Sequence, residues 1–298
     1  MPAIPPDRHK PSYGSRAVVT GAGSGIGRAV ALELAARGGQ VVCADIDLDR
    51  AQATASLLGR DRGIAVQCDV ASHAQVTALA ATAEQRLDGP VDLVVNNAGI
   101  GVGGLPVGDN SMDEWERLLG VNLWGVVYGC DVFVPKLRRI GRGGIINVSS
   151  GAGFAAIPRM SGYNVTKAGV LALSETLAAE LAGSGVRVSV LCPAFVRTNI
   201  ARDAKGIEGP LVEFADTAMR WAGRSPEWIA RATLDAYDKG TLHVLPHFEA
   251  RVLWRFKRLL PGPYTALMGA LSQLTSRLIP DLGQTRELTV GGSDADRH

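Results

Sequence analysis

Cysteine is scarce in this 298-residue chain, and its four cysteines, Cys43, Cys68, Cys130 and Cys192, lie far apart. They build neither a disulfide scaffold nor the paired spacing of a metal site, so no metal is expected and a reducing compartment suits the chain. Charge of one sign is also lacking. The formal net charge is +2, and the first 245 residues cluster no bases into a face, which speaks against nucleic acid as a partner. No uninterrupted apolar run reaches the ~18 residues of a membrane span. Met1 to Ser15 carry four prolines and no signal-like apolar core, so a flexible arm and a cytoplasmic protein are expected.

What is present is a pattern of alternation. Seven short Val/Ile/Leu-rich runs, at 16–20, 41–45, 64–68, 91–96, 144–149, 186–192 and 241–245, read as strands separated by helical periodicity. Nearly continuous apolar runs are what strands covered on both faces require. The expected fold is therefore α/β, a Rossmann-type, doubly wound parallel seven-stranded sheet with helices on both faces. Ile26, Val30 and Leu34 mark the first helix, which stops at Gly38-Gly39. Ser111 and Glu114 form a capping box for another helix, and Val170, Leu173, Leu177 and Leu181 stripe a helix that ends near Gly183. We divide the chain into an arm (1–15), a dinucleotide-binding and catalytic domain (16–248) and a helical extension (249–298) broken by Pro261-Gly262-Pro263, with a disordered end.

The first run leads directly into Gly21, Ala22, Gly23, Ser24, Gly25, Ile26 and Gly27. A glycine turn that opens a helix lets backbone N–H groups approach a dinucleotide pyrophosphate at the positive end of the helix dipole. Ile26 stands where GxGxxG wants its third glycine, so the spacing is GxxxGxG and an ordinary glycine turn remains open. Asp45 ends the second run, eighteen residues after Gly27. A carboxylate there accepts from adenosine ribose hydroxyls and repels a 2′-phosphate, and neither Ser24 nor Ile46 supplies a cation, so NAD(H) is preferred over NADP(H). A solvated strand-end Asp is the plain alternative. Asp69 and Val70 follow the third run, where a short acceptor can meet the adenine amine or merely cap the helix near Ser72. Asn96, Asn97, Ala98 and Gly99 close the fourth, small enough for a ligand to pack close and with amides able to brace neighbouring strands.

Tyr163 and Lys167 are spaced i, i+4, hence on one helical face. A phenol of pKa ≈ 10 is too weak an acid for neutral-pH catalysis, and a neighbouring ammonium lowers it. Such a pair alone is usually a surface ornament. Ser150, thirteen residues upstream at the end of the fifth run, and Asn122, placed to hold a proton-relaying water, turn it into a constellation.

These residues, in this order, resemble the short-chain dehydrogenase/reductase family over about residues 13 to 245. The resemblance implies a nicotinamide cofactor, NAD, across the carboxyl edge of the sheet and interconversion of a secondary alcohol with its ketone. It implies Tyr163 as general acid/base, Lys167 as its tuner and ribose holder, Ser150 as the orienter of the substrate oxygen and Asn122 as the completion of the proton path. Pro193, Val196 and Thr198 look like the segment that fixes the carboxamide. Ala194 departs from the family's usual glycine and must avoid positive φ or bear strain. The tail departs too: it covers or rebuilds an edge that usually makes subunit contacts, leaving a homodimer or homotetramer.

Phe154, Ile157, Met160, Phe195, Phe214, Met219 and Trp221 are expected to border the pocket, which favours a hydrophobic alcohol or ketone of steroid, retinoid or fatty type. Val252 to Leu260 mix aromatics and bases, as a helix docked on its own subunit or on a neighbour does, or one making weak peripheral membrane contact. A catalytically silent NAD-binding sensor or scaffold is the rival from another class. An epimerase or enoyl reductase keeps the fold but changes the reaction.

Overall fold

The computed structural model describes residues 10–87, 89–101, 105–194, 196 and 223–278. Seven parallel strands form one sheet: β1 (Arg16–Thr20), β2 (Gln40–Asp45), β3 (Gly63–Gln67), β4 (Leu93–Asn96), β5 (Gly144–Val148), β6 (Arg187–Leu191) and β7 (His243–Val244). Their order is β3-β2-β1-β4-β5-β6-β7, so the winding direction reverses between β1 and β4, and a crevice opens there at the carboxyl ends. β7 is shorter than the apolar run that announced it, because only Val190 and Leu191 of β6 are in register with it.

The period-two alternation of strands splits the core in two. Ala17, Val19, Val41, Cys43, Leu93 and Val95 point to one face, and Val18, Val42, Ala44, Val94 and Ile145 to the other. Against the first pack α1 (Gly25–Ala36), α2 (Leu48–Leu58) and α8 (Pro226–Asp238). Against the second pack α3 (His73–Arg86), α5 (Gly125–Ile140) and α7 (Ser161–Glu180). In α7, Val170 and Leu177 are buried, and Leu181 caps its end; Leu173 is only half-buried at the rim.

The helix that Ser111 caps runs further than one element. α4 (Met112–Leu119) continues through a π turn, Gly120–Trp124, into α5. Ser111 Oγ accepts the Glu114 N–H at 3.2 Å. The run Met112–Ile140 has the length and composition of a membrane span, yet Val126, Cys130, Phe133 and Leu137 are buried against the sheet, as in the core helix of a globular protein.

Two segments beyond the sheet are anchored. Within the expected arm, Ser12 donates its N–H and its hydroxyl to Asp238 at 2.9 and 2.7 Å, and Arg37 lies over the Tyr13 ring. In the extension, α9 (Phe248–Leu259) and α10 (Pro261–Leu278) form, with the prolines in the first turn of α10, where a missing N–H costs nothing. Ala250 of α9 is buried in the core, with Leu253 and Trp254 packed on it. Its exposed arginines bond along the surface: Arg251 donates to the Leu245 and Pro246 carbonyls, and Arg258 lies over the Trp254 ring. The helix thus docks on its own subunit.

Candidate active site

The glycine turn is locked from outside. Gly21 has φ 63°, and a Cβ on Gly27 would lie 2.2 Å from the Gly21 carbonyl oxygen, so only hydrogen lets α1 start this close to β1. That settles the GxxxGxG spacing in physical terms: the glycine at 27, one residue beyond Ile26, is the one the packing demands. Ser24 occupies the N-cap position with extended backbone and no side-chain cap bond, which leaves the first-turn N–H groups of Gly25, Ile26 and Gly27 without intrahelical partners. Arg28 donates to the Gly23 carbonyl and, at 3.0 Å, to Thr54, whose hydroxyl holds the Ala22 carbonyl at 2.9 Å. These clamps were not legible in the sequence.

Asp45 ends β2 beside that turn. Its Oδ2 accepts the Gly23 N–H at 2.8 Å and its Oδ1 the Asp47 N–H at 3.1 Å. Each oxygen keeps a further acceptor position open. The sequence placed no cation here, but a Cβ on Gly23 would stand 2.7 Å from Arg50 Cβ, so an arginine of α2 borders this corner, paired with Asp47 at 3.2 Å.

Asp69 does not cap α3; Ser72 does, accepting from Gln75 N. Asp69 Oδ1 instead accepts the Ala71 N–H at 2.9 Å, and its own N–H goes to Gln75 Oε1. Val70, nearly buried, packs where Gly125 leaves room. The amides of the next run do brace the sheet. Asn97 Nδ2 donates to the Thr20 and Gly21 carbonyls at 2.9 and 3.2 Å, while Thr20 Oγ1 receives the N–H groups of Asn97 and Ala98. Asn96 donates to Asn147 Oδ1 on β5 at 2.8 Å, and Asn147 donates to Ser174 on α7. Asn147 escaped the sequence reading because it looks like an ordinary strand residue, and Thr20 entered it only as the residue that opens the glycine turn.

Asn122, fully buried in the π turn, binds one residue with both ends of its side-chain amide. Oδ1 accepts the Ile100 N–H and Nδ2 donates to the Ile100 carbonyl, both at 2.8 Å. One N–H and one acceptor position of the amide remain beyond these two bonds.

Ser150, Tyr163 and Lys167 converge. The Ser150 hydroxyl hydrogen-bonds the Tyr163 phenol and accepts the Ala152 N–H at 3.1 Å. Lys167 Nζ lies 5.8 Å from the centre of the Tyr163 ring and donates to the Val148 carbonyl at 3.0 Å. A Cβ on Gly99 would fall 3.4 Å from that Nζ and 3.2 Å from Asn122 Oδ1, so the four residues meet at one point of the crevice. Burial brings the Lys167 ammonium down to about 8, with Cys192 opposing. It pushes the Tyr163 phenol up, with the Ser150 bond opposing. The largest effect on the phenol is thus desolvation of its phenolate, and the neighbour that opposes it is Ser150 rather than Lys167.

Pro193 and Ala194 follow β6. The Pro193 carbonyl accepts the Gly151 N–H at 2.8 Å, and Ala194 is absent from the positive-φ residues, so it avoids the strain its missing glycine threatened. Val196 bridges Arg224. Thr198, Phe195, Phe214, Met219 and Trp221 lie outside the described residues. Phe154 belongs to the core rather than to a pocket wall. Met160 does line a narrow cleft that ends on Tyr163, with Trp115, Leu118, Asn110 and Arg159.

The profile of the short chain dehydrogenase family matches residues 15–207. The protein SadH of Mycobacterium tuberculosis (strain H37Rv) is 35% identical over 265 residues, spanning 86% of this chain and 95% of its own. A 2-(R)-hydroxypropyl-CoM dehydrogenase of Xanthobacter autotrophicus is 32% identical, over 73% of this chain and 95% of its own. Among solved structures, a short chain dehydrogenase/reductase from Burkholderia phymatum in complex with NAD superposes with a TM-score of 0.77 at 34% identity, covering 83% of this chain and 93% of that one.

Proposed function

The chain belongs to the short chain dehydrogenase family and is an oxidoreductase of alcohols and ketones, and we propose that it transfers hydride between NAD(H) and a hydrophobic secondary alcohol or its ketone with Tyr163 as general acid/base. The observation that carries this reading is the meeting of Ser150, Tyr163 and Lys167 beside Gly99 at the carboxyl edge of the sheet.

The residues present fit the cofactor. Unpartnered N–H groups at the start of α1 suit a pyrophosphate, and Asp45 retains acceptor capacity for ribose hydroxyls. When bound, the nicotinamide ring supplies the site of hydride donation or acceptance. Lys167, still a cation at neutral pH, holds the nicotinamide ribose and favours phenolate at Tyr163. In the direction of oxidation, the phenolate oxygen of Tyr163 takes the alcohol proton as the C–H electron pair leaves with hydrogen, and a carbonyl results. In reduction Tyr163 returns that proton to the carbonyl oxygen. Ser150 holds the substrate oxygen in reach of Tyr163, and Asn122 positions Ile100 and Gly99 beneath them. Val196 and Thr198 are assigned to the carboxamide, and Asp69 and Val70 to the adenine.

Trp115, Leu118 and Met160 support an apolar substrate, with Asn110 and Arg159 lining the same cleft. Half-exposed Trp124 and Val165, on the helices the family resemblance assigns to subunit contacts, support a homo-oligomer. Steady-state assays over hydrophobic secondary alcohols, with both nicotinamide cofactors, test the reading. Tyr163→Phe is expected to lose about 10²- to 10⁴-fold in kcat while NADH still binds. NADH binding without turnover of any alcohol or ketone would favour a silent sensor instead.

A further inference from the structure

We propose that the extension α9–α10 is a clasp on the catalytic loop, with Lys257 and Tyr264 acting as positioning residues for Ser150. The inference rests on the reading of Ser150 as part of the catalytic set.

Directly after Ser150 the chain makes a single helical turn, α6 (Ala152–Ala155), which Ala156 ends at φ 51°. A helix of one turn cannot satisfy its own last carbonyls. Two of them are taken by side chains more than a hundred residues away. Lys257 Nζ of α9 donates to the Phe154 carbonyl and Tyr264 Oη of α10 to the Ala155 carbonyl, both at 2.5 Å. Tyr264 is only 2% exposed, its ring lies edge-on to Phe256, and burial raises its pKa, so it stays a donor. A third carbonyl, that of Ile157, receives Asn164 Nδ2 at 2.7 Å, from the residue next to Tyr163.

The other end of the same turn is the site itself. Ser150 Oγ accepts the Ala152 N–H, and Gly151 is tied to the Pro193 carbonyl. The extension reaches that second loop as well: His247, the N-cap residue of α9, accepts the Ala194 N–H at Nδ1, 3.3 Å away. Left-handed backbone at Ala156 and at Arg159, φ 65°, disfavours the loop's conformation, and such strain persists only where surrounding contacts over-determine it. The clasp supplies those contacts. Four residues of rigid helix then carry its hold to the Ser150 hydroxyl, where a displacement of about 1 Å is enough to cost a large part of the rate.

The test uses the full chain with Tyr264→Phe, which keeps the packed ring, Lys257→Met, the pair together, and Lys257→Arg, which restores a donor. Hydrogen–deuterium exchange is read in peptides covering 150–157, where α6 amides are bonded, alongside NADH titration and turnover of 2-octanol with NAD. In the double variant, exchange at 150–157 should rise about tenfold with β1 and α1 peptides unchanged. The rate constant kcat should fall about tenfold, NADH affinity should hold within about twofold, and Lys257→Arg should recover most of the loss. Unaltered exchange at 150–157 overturns the clasp, as does a lowered melting temperature with kcat intact. A wild-type protein that turns over no alcohol refutes the catalytic reading, while the exchange experiment still decides the clasp.

Discussion

One carboxylate oxygen of Asp45 holds the N–H of Gly23 at 2.8 Å, tying the end of β2 to the glycine turn. The same oxygen pair faces the corner bordered by Arg50. Asp45→Ser keeps a short acceptor for Gly23, removes the negative charge and leaves the arginine in place. The ratio of kcat/KM for NADP to that for NAD should rise by at least about tenfold, the scale of one opposed charge pair. An unchanged ratio in steady-state assays would show that Asp45 does not select the cofactor.

The order in which Lys167 and Tyr163 titrate sets a pH limb. Lys167 is lowered to about 8, largely by burial, whereas the Tyr163 phenol is raised from its ordinary range. Ketone reduction needs the phenol protonated and the ammonium charged. As pH rises, the ammonium is lost first, so kcat/KM for reduction should be level to about pH 7 and decline above about 8. Arginine stays protonated throughout, so Lys167→Arg, though slower overall, should lack that decline. A variant retaining the limb would assign it to another group.

Stability should depend on Arg37 more than its surface-like position at the end of α1 suggests. Its guanidinium meets Glu33 at 3.0 Å, Asp235 at 2.7 Å and Asp238 at 3.1 Å, and both Arg37 and Asp238 are buried. Arg37→Met leaves the Asp238 carboxylate its Ser12 donors but no counter-charge, and loss of one partner of a buried pair costs about 3–5 kcal/mol. Urea denaturation is the check, with cofactor affinity expected to hold because the network lies far from the glycine turn. Asp238→Asn, which keeps a hydrogen-bond acceptor, should cost less.

Much of the sheet could be read in advance because a strand buried on both faces must be apolar almost throughout, and β1 to β6 lie within a residue or two of their runs. β7 also lies within two residues of its run, and only its short pairing was hidden, since that depends on how far β6 extends beside it. Tyr163, Lys167 and Ser150 were legible by chemistry and spacing. Asn122 was legible as a residue but not in its grip on Ile100, which lies distant along the chain. Asn147, Arg28 and Thr54 left no local signal at all: each is a common polar residue whose partner lies elsewhere in the fold.

By itself the order of residues determined the α/β architecture, the glycine turn and the four side chains of the reactive crevice, because periodicity and helical spacing are local properties. Only the tertiary structure decided that burial pushes the Tyr163 phenol up, that the Asn122 amide grips the Ile100 backbone, and that the extension folds back onto the loop after Ser150. Desolvation and long-range hydrogen bonds depend on what surrounds a group in space, and no spacing along the chain encodes that.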